Sequence, residues 1–147
     1  MILDNSLIFS EEQDIKAISG SSTAVASTNT CVVGKADFGY KGMFLVVKLK
    51  EALLAAKTNG GADGLTIKVE ACDNSAFSSN VVTLAEKQMS VDSAMAEGTD
   101  LAKFLLRDCK GLKYIRVTYK GDGTYVKNDS QTTIKVSAFM ATDIPTE

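Results

Sequence analysis

The sequence contains no histidine at any of its 147 positions. Histidine is the usual general base near neutral pH and the commonest metal ligand, so its absence removes most Ser-His-Asp triads, most zinc sites and His-based phosphodiester chemistry together. Arginine is nearly missing as well: Arg107 and Arg116 are the only two. With 16 basic and 18 acidic residues spread along the chain, net charge −2, there is no basic stripe to neutralise phosphates, so nucleic acid is not expected as a direct partner. No apolar run approaches the ~20 residues that a membrane-spanning helix needs, and no membrane association is expected. The opening Met1-Ile2-Leu3-Asp4-Asn5 has no basic leader ahead of an apolar stretch, so the reading expects a protein that matures where it is made.

Cysteine is scarce and widely spaced. Cys31, Cys72 and Cys109 form no Cys-x-x-Cys pair, and an odd number argues against a disulfide framework. Their expected role is that of small buried hydrophobes. Cys109 stands between Asp108 and Lys110, but a nucleophile without a histidine or a helix start is not expected there. The sole proline, Pro145, falls in an expected C-terminal tail, residues 140–147.

What the chain does have is alternation. Leu65, Ile67, Val69 and Ala71 alternate with Thr66, Lys68 and Glu70, the signature of a strand with one face in a core. Residues Asn59 to Gly64 before it and Asp73-Asn74-Ser75 after it are turn formers. Leu112 to Tyr119 and Thr132 to Phe139 alternate in the same way, the latter with Ile134, Val136 and Ala138 opposite Lys135, Ser137 and Phe139. Met43 to Val47 is apolar at every position, as in a central strand covered on both faces or one lying under a neighbouring subunit. Shorter strand candidates are Ser6–Phe9, Asp14–Ile18, Thr30–Val33, Val81–Leu84 and Lys87–Val91.

About eight short strands between turn-rich segments predict an all-β fold, an antiparallel sandwich or barrel in a single domain spanning 1–147. Two segments predict short helical turns in loops. Lys50–Lys57 is rich in helix formers and stops before Asn59-Gly60, and Asp100–Leu106 reads as a helical turn or an extended apolar loop.

Constellations for chemistry are thin. Asp92, Glu97, Asp100 and Asp108 cluster in sequence and would suit paired-carboxylate catalysis, but solvated loop acids explain them equally. Asp63, Asp73 and Asp122 adjoin Gly or Asn and read as turn closers rather than calcium ligands. No nucleotide-binding motif occurs, and Gly121-Asp122-Gly123 lacks the strand-then-helix context of one. Tyr40, Tyr114 and Tyr125 are candidates for a sugar-binding face, with core or interface packing the preferred role. The reading is of a non-enzyme with no catalytic residue, cofactor or metal.

The feature that looks like an interaction device is an apolar arm, residues 1–9, in which Ile2, Leu3, Leu7, Ile8 and Phe9 fall within nine positions. Such an arm should pack on its own sandwich or cross to another chain.

In order along the chain, Met1-Ile2-Leu3-Asp4 to Phe9-Ser10, Leu65-Thr66-Ile67-Lys68-Val69-Glu70, Cys72-Asp73-Asn74-Ser75-Ala76-Phe77-Ser78-Ser79 and Tyr114-Ile115-Arg116-Val117-Thr118-Tyr119 resemble segments of the jelly-roll capsid cement, or decoration, proteins of tailed bacteriophages. The resemblance implies a jelly-roll β-sandwich that forms a homotrimer on the outer surface of the virion, binds the major capsid protein and is made in the host cytoplasm. It carries no catalytic motif. The stretches Glu51–Asp63 and Val91–Asp108 read as longer loops than the family's more compact members have. The expected intersubunit and capsid contacts are therefore the arm together with Leu53, Leu54, Leu101, Phe104 and Leu105 of those loops. A carbohydrate- or receptor-binding sandwich of a phage tail or cell surface is the alternative, because one fold hosts many functions.

Overall fold

A strand with one apolar face is stable only against another apolar face, and this chain meets that demand by nesting its strands around a central hairpin. In the computed structural model, residues 7–32, 43–57, 64–106 and 110–141 are described. They contain β1 (Ile8–Asp14), β2 (Val25–Ala26), β3 (Cys31–Val32), β4 (Met43–Leu49), β5 (Leu65–Cys72), β6 (Val82–Met89), β7 (Asp100–Leu106), β8 (Tyr114–Gly121) and β9 (Lys135–Ala141). Strand β5 pairs with β6, β4 with β7, β2 and β3 with β8, and β1 with β9, every pair antiparallel. Two further pairings, β4 with β9 and β5 with β8, roll this nested hairpin into two sheets. Their orders are β1-β9-β4-β7 and β2-β8-β5-β6, with β3 also on β8. That double Greek-key order is a jelly roll: the alternation predicts an antiparallel sandwich or barrel, and the resemblance implies this form of it.

The core lies between the sheets. Leu45, Val47 and Leu49 of β4 and Val136, Ala138 and Met140 of β9 face Leu65, Ile67 and Val69 of β5 and Ile115, Val117 and Tyr119 of β8, all at most 2% exposed. Met140 and Ala141 belong to β9, so the expected tail loses its first two residues to the sandwich.

Strands β2 and β3 are two pieces of one edge strand. Between them Ser27 bridges the gap: its N–H donates to the Val117 carbonyl at 2.7 Å, and its Oγ accepts from the Val117 N–H at 3.1 Å. Asn29 then crosses to the other sheet, donating to the carbonyls of Phe9 and Ile8 at 2.9 and 3.1 Å. The outer side of β1 is thereby tied down rather than left as an open edge.

Neither helical expectation holds. Among the described residues the one complete helical turn is a 3-10 turn at Lys16–Ile18. Asp100–Leu106 is strand β7, and 50–57 is an extended crossing with a single bridge, Leu53 to Met95. The reason in 50–57 is that long-range partners take its backbone groups. Gln131, 7% exposed, accepts from Leu54 N–H at 2.8 Å and donates to the carbonyls of Ala52 and Thr133 at 3.1 and 2.7 Å. Ala56 N–H reaches the Val91 carbonyl and Lys57 N–H that of Val126. Helix propensity of a few tenths of a kcal/mol per residue does not compete with that set of bonds.

Candidate functional site

The two outward faces of the sandwich differ. On the β5/β8 sheet the outward side chains at the centre are polar, namely Thr66, Lys68, Glu70, Arg116, Thr118 and Lys120, while at one end the paired Val32 and Tyr114 add apolar surface, Val32 being 62% exposed. Glu70 sits at the centre, taking Arg116 Nε and Nη2 at 3.1 and 2.9 Å on one carboxylate oxygen. Phe77, held at a positive φ of 52°, lays its ring 4.3 Å from the Arg116 guanidinium. Cys72, at the end of this sheet, donates its thiol to the Ser79 carbonyl at 3.1 Å and accepts from the Asn74 amide at 3.3 Å.

On the β1-β9-β4-β7 sheet the outward side chains form two apolar rows. Ile8 pairs with Phe139 and Phe139 with Val46; Ala141 pairs with Phe44 and Phe44 with Leu105. Val46 is completely buried although it points away from the core, so the middle of β4 is covered on both faces, while its outward neighbours Phe44 and Lys48 are half-buried. Leu105 is 42% exposed at the rim. Lys48 and Lys103 flank the rows and converge on Asp100, at 3.2 and 3.1 Å. The Asp100 Oδ1 contact with Lys48 is an ion pair by distance rather than a directed hydrogen bond.

At the β1 side this face opens into a cleft of about 230 Å3 lined by Ile8, Ser10, Glu11, Glu12, Lys50, Ser137 and Phe139. A bulge creates it: Ser10 pairs with Ala138 and Gln13 with Val136, so Glu11 and Glu12 together oppose the single residue Ser137. Glu12 has φ 48° and donates its N–H to Ser137 Oγ at 3.0 Å, which turns both glutamates to the rim. The inner wall is fixed, because Ser10 Oγ is hydrogen-bonded to Gln13 Oε1 at 2.6 Å and to the buried Tyr119 hydroxyl at 2.9 Å.

The expected interface residues divide. Phe9, Leu53 and Leu101 are 0–2% exposed and belong to the core of the protomer, so they present nothing to a partner. Leu7 and Phe104 pack against that core from its margin, and Leu54 is half-buried with its N–H held by Gln131. Ile8 and Leu105 do reach the outward face of one sheet, on its opposite edge strands. Ile2 and Leu3 lie outside the described residues. Phe44, Val46, Phe139 and, apart from Ile8, the cleft residues are not among the residues expected from the sequence. The available signal was Phe139 closing the otherwise polar face of Lys135 and Ser137.

The chemistry-bearing candidates have structural work. Burial alone would raise the Asp100 carboxyl, but Lys103 and Lys48 outweigh it and hold it below the ordinary value, the reverse of a proton donor. Asp92 and Glu97 are exposed loop acids. Asp122 Oδ1 accepts from Thr124 N–H and Oγ1 and from Tyr125 N–H, all at 2.8 Å, closing a turn. Burial pushes the Cys31 thiol up to about 12, which removes it as a nucleophile. Tyr125 is in the core, while Tyr114 is half-buried with Lys113 Nζ 5.5 Å from its ring centre. Asp63, Asp108, Cys109 and Tyr40 lie outside the described residues. Among the described residues no group of three or more Cys, Asp and Glu side chains is arranged to hold a metal ion, and no helix is long and apolar enough to cross a membrane.

Against known proteins, the chain matches no family model and no curated sequence.

Proposed function

We propose that this protein is a structural component of a virus particle, a decoration protein that binds the outside of a tailed-phage head as a homotrimer and stabilises it. The observation that carries the reading is the asymmetry of the sandwich. One outward face is centred on the Glu70–Arg116–Phe77 network, and the other carries apolar rows that are half-buried at Phe44 and Phe139, exposed at Leu105, and end in a cleft. The sequence resemblance supplies the partner class, the major capsid protein. Stabilisation then follows from mass action: a protein that binds the assembled shell and not its parts shifts the equilibrium toward the shell, and many copies multiply a weak contact.

The carbohydrate-binding alternative would draw on the shallow polar depression on the other sheet, lined by Ser22, Thr66, Lys68, Glu86, Gln88, Lys120, Gly121 and Asp122. None of these residues offers the aromatic platform on which a sugar ring stacks.

Light scattering over a dilution series, followed by co-sedimentation with expanded tailed-phage heads that lack their decoration protein, tests the proposal. A mass near three protomers and saturable binding to heads are expected. A monomer at every concentration that stays in the supernatant would overturn it.

A further inference from the structure

The cleft beside β1 is too small for a typical organic ligand, for which about 300–1,000 Å3 is usual, yet it has room for one long side chain. Its floor is apolar, formed by the cross-strand neighbours Ile8 and Phe139. Its rim carries Glu11 and Glu12 against one cation, Lys50. Among the described residues neither glutamate carboxylate has a hydrogen-bond or ion-pair partner. The wall is rigid, since Ser10 is anchored through the sandwich to Tyr119.

An aliphatic stem over an apolar floor with a cationic head at an acidic rim is the shape of lysine or arginine. The aromatic ring selects arginine, whose flat guanidinium stacks on a ring and reaches a carboxylate at the same time. This fold already contains that arrangement once, with Arg116 held between Glu70 and the Phe77 ring. The cleft offers the same pair, carboxylate and ring, without the guanidinium.

We propose that the β1 cleft is a docking socket for an arginine side chain of a different protein. The inference deepens the decoration reading and rests on it for the identity of that protein. A foreign arginine suits the two glutamates at the rim and the overall charge of −2; of the chain's own two arginines Arg116 is already engaged and Arg107 lies outside the described residues.

The test uses the whole chain and two probes, N-acetyl-arginine methylamide and its neutral isostere N-acetyl-citrulline methylamide, titrated into isotopically labelled protein by NMR. Shifts at Ile8, Glu12, Ser137 and Phe139 are expected with the arginine probe, at least tenfold weaker with citrulline. The double variant E11Q/E12Q should weaken arginine binding about tenfold while the spectrum of the β5/β8 sheet stays unchanged. Equal response to both probes, or shifts confined to other regions, would overturn the socket. So would dissociation of a wild-type oligomer by the double variant, which would seat a second copy there. Heads that bind while the arginine probe leaves the cleft unmoved would sink the socket and leave the decoration reading intact. Arginine binding without binding to heads would do the reverse.

Discussion

The hydroxyls of Ser10 and Tyr119 meet 2.9 Å apart inside the sandwich, joining β1 of one sheet to β8 of the other. Ser10 gives its single proton to Gln13, so Tyr119 is the donor between them. Both residues are buried, at 1% and 0% exposure, which makes the pair sensitive to the loss of one member. Ser10→Ala leaves a buried phenol without an acceptor and is expected to cost about 1–3 kcal/mol; Tyr119→Phe removes the group that needs a partner and should cost about 1 kcal/mol. Urea unfolding of the two variants and their double mutant checks the order, and the double mutant should lose less than the sum.

Gln131 is the second polar element on which the fold depends. Its amide holds the extended course of 51–57 from both sides. Gln131→Met keeps the volume but strands the Leu54 N–H and the Ala52 and Thr133 carbonyls, and should destabilise by about 1–3 kcal/mol. Hydrogen exchange at Leu54 should accelerate more than at Val117. Equal acceleration at both would mean that Gln131 acts on global stability alone.

A single added methyl group should be costly at Gly121. A Cβ there would lie 2.6 Å from the Ile18 carbonyl oxygen and 3.1 Å from that of Ser21, both backbone atoms that cannot swing aside. Gly121→Ala is expected to lower stability by about 1–3 kcal/mol, the range for overpacking, whereas Gly98→Ala meets no atom within 4 Å and is affected only through its φ of 86°. Thermal melts of the two variants separate steric from conformational cost.

Base should unfold this protein more readily than its acidic composition suggests. Burial raises the Cys31 thiol to about 12 from 9.0 and raises the Tyr125 and Tyr119 phenols above their ordinary 10.0, Ser10 partly offsetting the last. The folded state therefore holds protons that the unfolded chain releases. Stability is complete below about pH 9 and falls as pH rises toward 12, by up to about 1.4 kcal/mol per pH unit for each group. Urea midpoints measured from pH 8 to 11 should decline, and Cys31→Ala should flatten the first part of the decline even though it lowers stability at pH 8.

The strands that keep strict alternation, β5 and β8, were legible in the sequence because one face of each meets the core without interruption. Where a bulge breaks the alternation, legibility failed in a specific way. Strand β6 reads as two pieces, Val81–Leu84 and Lys87–Val91, because its pairing slips between Val69 and Glu70 of β5. The bulged β1 reads only as Ser6–Phe9 for the same reason, and Asp14–Ile18, expected as a strand, is the last residue of β1 followed by the 3-10 turn at Lys16–Ile18. Lys50–Lys57 was misread because what fixes it is Gln131, 77 residues from Leu54, and no local pattern encodes that partner. The candidate site was legible only at Ile8 and Leu105. A face made by adding one or two outward residues from each of four strands has no contiguous signature.

The nested pairing has a consequence for how the protein is made. Strand β4 is an interior strand only when β9 lies beside it, and among the described residues β1 has β9 as its one strand neighbour. The sheet that carries the cleft therefore stays incomplete until residues 135–141 have been synthesised and have come back to Ile8, across almost the whole described chain. Sheets built from such remote pairings fold on the order of milliseconds to seconds rather than microseconds. Until they close, the apolar rows and the unpaired margins of β1 and β4 are open to neighbouring nascent chains. High expression of this protein should reward slow translation and low temperature, and the soluble yield should respond to variants in β9 more sharply than their effect on final stability accounts for.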